Sequence, residues 1–360
     1  MPRQITSFSN ETVKRLRALR DKKAYHVLVV KSTVIPGTTD GVVRTTAERA
    51  AGKTAGKDFG LAMNPEFLTE GRALDDFMRP DRIVLGGVDE RSQSVLGELY
   101  ASFEGAPVVR CNCSTAEMIK YASNALLATL ISFSNELGRL CSSVGDVDIV
   151  DVMRGVHLSA YLTSKARDGS TVQAPISSFL EAGCGFGGSC LPKDVTALVA
   201  QGVDRGLSMS LLRSVLEING TQPDELIRLI AAKYPSLRGR RVAVLGIAFK
   251  PDTDDVRESP AFPIVEQLRA AGADITVYDP VARPTSHPRL QGVRWADSLR
   301  AAVAGVDVVV HVTRWREFEQ LPKVLDELGE RPLVVDGRRN LRPQAFPSYA
   351  GIGLAPRSAA

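Results

Sequence analysis

RVAVLGIAFKPDTDDVRESPAFPIVEQLRAAGADITVYDP, residues 241–280, decides the fold class. RVAVLGI is an apolar run of strand length, Ser259 and Pro260 supply an N-cap and a first helical residue for AFPIVEQLRAAG, and DITVYDP is a second strand. Strand, helix and strand in this order form a βαβ unit, whose strands run parallel because the helix returns the chain. VDVVVHVT (306–313) and PLVVDG (332–337) add further strands. The turn GIAFKPDTDDVRESP has one glycine where a G-x-G-x-x-G dinucleotide turn needs three. It places Lys250 and Arg257 beside a helix N-terminus, which suits either an anionic phosphate or a solvated charged loop.

Toward the N-terminus, residues 113–235 read as almost entirely helical. Ser114 and Glu117 have capping-box spacing ahead of EMIKYASNALLATLISFSNELGRLCSSVG, which predicts one helix over about 115–143. Such a helix is about 43 Å long. It either joins two domains, pairs between subunits, or is an oversized core helix. Before it, HVLVV (26–30), FGLAM (59–63), RIVLG (82–86) and PVVR (107–110) alternate with helical stretches, predicting an α/β layer with a parallel sheet over residues 1–112. A second α/β domain covers 236–346, and 347–360 reads as a frayed tail.

Composition narrows the function classes. With 360 residues and 44% hydrophobic content, the chain can bury more than one core. Its net charge of +4 is dispersed among 41 acidic residues, which argues against nucleic-acid binding. No apolar run approaches the length of a membrane span, and no hydrophobic signal core opens the chain, so the expected location is cytoplasmic. Five cysteines without a secretion signal read as free thiols, and four scattered histidines suggest no metal site.

GFGGSCLPKD, 185–194, sets Cys190 just ahead of a helix containing Pro192 and Asp194. Helix N-terminal N–H groups and adjacent Lys193 favour a thiolate, while Gly185, Gly187 and Gly188 let backbone approach a ligand. A tight glycine turn with an incidental cysteine is the alternative. In NPEFLTEG (64–71), Asn64 as cap and Pro65 as first helical residue would put Glu66 and Glu70 on one face; Lys120 and Asn124 share another at i, i+4. Carboxylates, an amine, an amide and a thiol suffice for covalent carbonyl chemistry, although each pair also suits plain helix surface.

KSTVIPGT, NPEFLTEGRALDDFMRPDRIVLGG, TAEMIKYASNALLAT, FGGSCLPKD, GIAFKPDTDDVRESPA and DGRRN occur in the order found in the UDP-glucose/GDP-mannose dehydrogenase family, which the chain resembles from about residue 26 to 342. The resemblance implies a truncated N-terminal Rossmann-like domain, a central helical domain with a long connecting helix, and a C-terminal Rossmann-like domain. It also implies NAD as cofactor and oxidation of the C6 hydroxyl of a nucleotide-linked sugar, UDP-glucose by default, to a carboxylate. Cys190 would be the nucleophile, passing through a thiohemiacetal and a thioester. Lys120 and Asn124 would stabilise oxyanion charge, and Glu66 and Asp194 would handle water and protons. Thr33 and Glu70 would line the nicotinamide side, with Arg257 reaching the cofactor. Phe179, Leu180, Gly185, Phe186, Gly187, Phe249, Lys250, Arg338 and Arg339 would bind the nucleotide sugar. A homodimer through the central helix is implied as well.

The chain departs from that pattern at its start. Family members open with a strand and a G-x-G-x-x-G turn, whereas here MPRQITSFSNETVKRLRALRDKK leads directly to HVLVVKSTVIPGT. The expectations are weak NAD binding by these residues alone, an apolar sheet edge, and a separate chain or longer start supplying the turn. Where the family often carries an arginine, five residues before Phe179, this chain has Ala174, with Arg167 as a nearby substitute. Three readings stay open: an active dehydrogenase, an inactive nucleotide-sugar binding or partner protein, and a thiol enzyme of other specificity.

Overall fold

A computed structural model of the chain describes residues 14, 16–283, 285 and 287–355. The first elements are β1 (Val27–Val30), α1 (Arg44–Ala51), β2 (Gly60–Met63), α2 (Ala73–Met78), β3 (Ile83–Gly87), α3 (Glu90–Leu99), β4 (Val108–Cys111) and α4 (Cys113–Val144). Then come α5 (Ile149–His157), β5 (Thr163–Lys165), β6 (Thr171–Gln173), α6 (Leu191–Val203) and α7 (Ser210–Lys233). The last are β7 (Arg241–Leu245), α8 (Ala261–Ala270), β8 (Asp274–Tyr278), β9 (Arg294–Trp295), α9 (Leu299–Val303), β10 (Val308–His311), α10 (Leu321–Leu328), β11 (Leu333–Asp336) and β12 (Tyr349–Gly351). Two compact units result, Met1–Ala125 with Asp194–Ser208, and Leu126–Lys193 with Met209–Ala360. Between the two α/β sheets in chain order lies a central helical region built on α4, α5, α6 and α7, and the two units divide it between them.

In the first unit the sheet order is β1-β2-β3-β4. The outer pairs are parallel, but β2 and β3 are antiparallel, correcting the expected all-parallel sheet. The six-residue α2 between them is too short to carry the chain back along the sheet. β2 and β3 are wholly buried, β1 is half-buried throughout, and Val108 and Val109 of β4 are exposed. On the β4 edge the exposed Val108 and Val109 stand beside exposed Arg110.

α4 is one unbroken helix of 32 residues. Its start is not a capping box. Asn112 Oδ1 accepts from Thr115 N–H at 2.8 Å, Ser114 Oγ donates to Asp40, and Glu117 turns away to another segment. The helix begins before Ser114, which puts that residue inside it. The middle region, expected to be almost entirely helical, also contains the antiparallel hairpin β5–β6, with exposed Arg167 in its turn.

The second unit carries an all-parallel sheet in the order β12-β11-β10-β7-β8-β9. Its strands alternate between two cores: Val242, Val244, Val308 and Val310 pack with α7 and α8, whereas Ala243, Leu245 and Val309 pack with α9 and α10. Ser259 Oγ accepts from Ala261 N–H at the start of α8, so the expected cap is present. β12 pairs with β11, so the tail read as frayed from 347 is an edge strand; residues beyond 355 lie outside those described. No described helix is long and apolar enough to cross a membrane.

Candidate active site

In the first unit, one face of α4 presents Glu117, Lys120 and Asn124 at helical spacing. Lys120 is 5% exposed, with Nζ 3.6 Å from Glu66 Oε1 and 5.3 Å from the centre of the Phe67 ring. An ammonium this buried requires such partners. One turn on, Asn124 Nδ2 donates to Asp194 Oδ2 at 2.6 Å, and Asp194, in the first turn of α6, is 1% exposed. Glu117 accepts from Gly37 N–H at 2.6 Å, Thr39 N–H at 2.8 Å and Thr39 Oγ at 2.6 Å. Burial pushes its carboxyl up despite these bonds. Burial and the neighbouring charges of Asp194 and Glu117 likewise raise the Tyr121 hydroxyl.

Glu66 thus reaches Lys120, but not from a helix. Residues 64–69 are irregular, correcting the expected short helix. Asn64 does not cap; its Nδ2 donates to Val84 O at 2.8 Å, and its Oδ1 accepts from Lys31 Nζ at 2.6 Å and from Tyr100. Tying the end of β2 to β3 is the use made of this side chain. Glu70 is exposed and Thr33 half-buried.

In the second unit a cavity of about 450 Å³ opens at the C-terminal ends of neighbouring parallel strands. Phe249 and Lys250 follow β7, Thr313 and Arg314 follow β10, and Arg338 follows β11. Between β7 and β10 the strand order reverses, the position where open α/β sheets bind ligands. Phe179, Gly185, Phe186 and Gly187 also line the cavity. Leu180 does not; it is buried in the core, and its carbonyl meets His157 Nε2 at 3.0 Å.

The two adjacent arginines part company. Arg338 stays at the cavity, its Nε donating to Val312 O at 2.5 Å and its Nη1 to Gly185 O at 3.1 Å. Arg339, with φ +54°, carries its side chain into the protein, where Nη2 meets both Asp148 oxygens at 2.7 and 2.9 Å. It is a structural cation, which corrects its expected place in the pocket. Asp336 shapes this turn by accepting from the N–H groups of Arg338, Arg339 and Leu341. Burial opposes its ionisation, yet His311 and these N–H groups hold its carboxyl at about 2. Burial pushes the Cys184 thiol up as well.

Sequence reasoning missed Arg314 and Glu181, both in the cavity wall and paired at 2.6 Å. The signal for Arg314 was its place just after a parallel strand. Arg257, expected at the cofactor, is exposed and bound to Asp255 of its own loop. Cys190 is exposed and directly precedes α6, with Sγ 3.8 Å from Ser189 Oγ; Cys113, Cys141 and Cys184 are buried and Cys111 is intermediate. Gly187 and Leu191, which bracket Cys190, both line the cavity.

GCGFGG at 183–188 does spell G-x-G-x-x-G, but it follows the 3-10 turn Pro175–Phe179 and not a strand. The glycine turn after β1 is no phosphate cradle either, because its Gly37 and Thr39 N–H groups are taken by Glu117. Neither of these two turns therefore supplies the donor set for a dinucleotide pyrophosphate.

Three domains of the UDP-glucose/GDP-mannose dehydrogenase family match the chain: its NAD binding domain over residues 6–104, its central domain over 114–221 and its UDP binding domain over 243–343. A UDP-glucose 6-dehydrogenase of Haloferax volcanii is 42% identical over 325 residues, covering 89% of this chain and 72% of that protein. The solved structure of a UDP-glucose dehydrogenase from Pyrobaculum islandicum superposes with a TM-score of 0.83 at 37% identity, covering 96% of this chain and 76% of that one. An NDP-N-acetyl-D-galactosaminuronic acid dehydrogenase from Methanosarcina mazei gives a TM-score of 0.81 at 29% identity, covering 96% and 73%.

Proposed function

The chain belongs to the UDP-glucose/GDP-mannose dehydrogenase family, whose cofactor is NAD, and from that premise we propose that it oxidises the C6 hydroxyl of UDP-glucose to a carboxylate through Cys190. The observation that carries this reading is the one exposed thiol, Cys190, bracketed by two residues of a cavity that also holds Lys250, Arg314 and Arg338. Such cations suit a nucleoside diphosphate.

NAD, when bound, would accept the hydride that leaves C6 in each of the two oxidations, one hydride per NAD molecule. The chain's own groups do the rest. Once the alcohol has become an aldehyde, the Cys190 thiolate adds to its carbonyl carbon and forms a thiohemiacetal. Lys120 and Asn124 stabilise the oxygen that gains charge. Loss of the second hydride leaves a thioester, and water, its proton taken by Glu66 or Asp194, attacks the acyl carbon and releases the carboxylate with the Cys190 thiol. Helical pairing supports a homodimer, since Leu126, Phe133 and Leu140 of α4 are exposed at seven-residue intervals.

A second reading takes its support from the two glycine turns described above, at Gly37–Thr39 and at 183–188, neither of which offers free N–H donors between a strand and a helix. On that reading these 360 residues bind a nucleotide sugar without turning it over. Calorimetry with UDP-glucose and GDP-mannose beside an NADH assay separates the readings. Tight UDP-glucose binding with NADH formed on adding NAD supports the dehydrogenase. Binding without turnover at saturating NAD supports the binding protein. No nucleotide-sugar binding contradicts both.

A further inference from the structure

The Cys190 loop is built against the segment Phe249–Glu258. A Cβ on Gly187 would stand 2.3 Å from the Glu258 carbonyl oxygen, and one on Gly188 would stand 2.8 Å from the Phe249 ring. Gly188 N–H donates to the Arg257 carbonyl at 2.9 Å. The space left by these two glycines is thus filled by protein and not kept for a ligand. Glu258 supplies the oxygen that excludes a side chain at Gly187, and it does so from φ +52°, a left-handed conformation that costs an L residue free energy. Asp252, at φ +64°, is strained in the same way.

Something must hold that strain, and Asp255 is the residue in position. Its side chain is 8% exposed and accepts from Arg257 N–H and Nε at 2.9 Å and from Arg257 Nη2 at 2.6 Å. Its carbonyl accepts from Phe249 N–H at 3.1 Å. The same segment therefore forms cavity wall at Phe249 and Lys250 and a seat for the cysteine loop at Arg257 and Glu258. Arg257, expected to reach a cofactor, is part of this seat.

We propose that Phe249–Glu258 is the template that sets the conformation of the Cys190 loop, with Asp255 the positioning residue that keeps the template in shape and Gly187 the residue that lets the loop seat on it. The proposal rests on reading Cys190 as the reacting thiol. Its test needs no NAD: peptide-resolved alkylation of Cys190 by iodoacetamide, in which the thiolate displaces iodide and the thiol proton goes to solvent, followed from about pH 6 to about pH 9.5. The full chain is compared with Asp255→Ala, Asp255→Asn and Gly187→Ala, each first shown to melt cooperatively.

Asp255→Ala and Gly187→Ala should change the Cys190 rate by about fivefold or more, or shift its pH midpoint. Asp255→Asn keeps an acceptor for Arg257 N–H and should return the profile most of the way to that of the parent. If Gly187→Ala does not fold, the two Asp255 variants decide. A folded Asp255→Ala chain whose Cys190 reacts like the parent at every pH would overturn the proposal, as would an Asn variant no closer to the parent than the Ala variant. Turnover retained by Cys190→Ser would instead overturn the nucleophile reading and leave the alkylation result standing.

Discussion

Asp148→Ala should destabilise the second unit severely while leaving its cavity intact. The Arg339 side chain is 5% exposed, and Asp148 meets its guanidinium with both oxygens while remaining 27% exposed itself. Removing one partner of a buried pair strands the other charge and costs about 3 kcal/mol at the lower end of the usual range, which fits the partial exposure of Asp148. Asp148 also caps α5, accepting from Val150 N–H at 2.9 Å, and losing a cap costs about 1 kcal/mol more. The expected loss is about 4 kcal/mol, or a fall in melting temperature of about 10 °C for a unit of this size. Denaturant titration and calorimetry with UDP measure the two sides of the claim. Arg338→Ala is the contrast: its guanidinium donates to neutral carbonyls, so stability should change by about 1 kcal/mol while UDP affinity drops at least about tenfold. A stability change under about 1 kcal/mol for Asp148→Ala, or a loss of UDP binding matching that of Arg338→Ala, would refute the division of labour between Arg338 and Arg339.

Asp336, at about 2 when folded against 3.8 for an ordinary aspartate, contributes stability that is fully present above about pH 4 and lost as pH falls toward 2. That loss is about 2 kcal/mol, and the pH dependence of the denaturation midpoint should flatten in this window for Asp336→Asn. Asn124→Ala removes a 2.6 Å donor from the buried Asp194 carboxylate and should cost the first unit about 1–3 kcal/mol, read from its melting transition. Phe133→Glu puts a charge in the exposed stripe of α4 and should shift sedimentation from dimer to monomer; a dimer that persists would place the interface elsewhere.

The sheets were legible because β7, β10 and β11 are buried on both faces and read as unbroken apolar runs. Long helix α4 was legible from its period, but its start was not. Ser114 and Glu117 have the spacing of a cap, and only the tertiary fold shows them committed to Asp40 and to the Gly37–Thr39 turn. Asn64 misled for the same reason, since a residue able to cap a helix serves equally well to bridge two strands. Nothing local tells Arg338 from Arg339; the left-handed backbone of the second sends one side chain to the cavity and the other inward. Gly187 and Gly188 looked like room for a ligand, and the room is filled by residues some 60 positions away, a contact invisible in one dimension.

The most direct test of Cys190 as the nucleophile at a nucleotide-sugar site uses a UDP-glucose analogue carrying iodine at C6, with no NAD. The Cys190 thiolate would displace iodide and form a stable thioether. The account predicts one adduct, mapped to the peptide containing Cys190, slowed by excess UDP-glucose, with Cys111, Cys113, Cys141 and Cys184 unlabelled. An analogue that binds by calorimetry yet leaves Cys190 unmodified, or labels it at the same rate with UDP-glucose in excess, would contradict it.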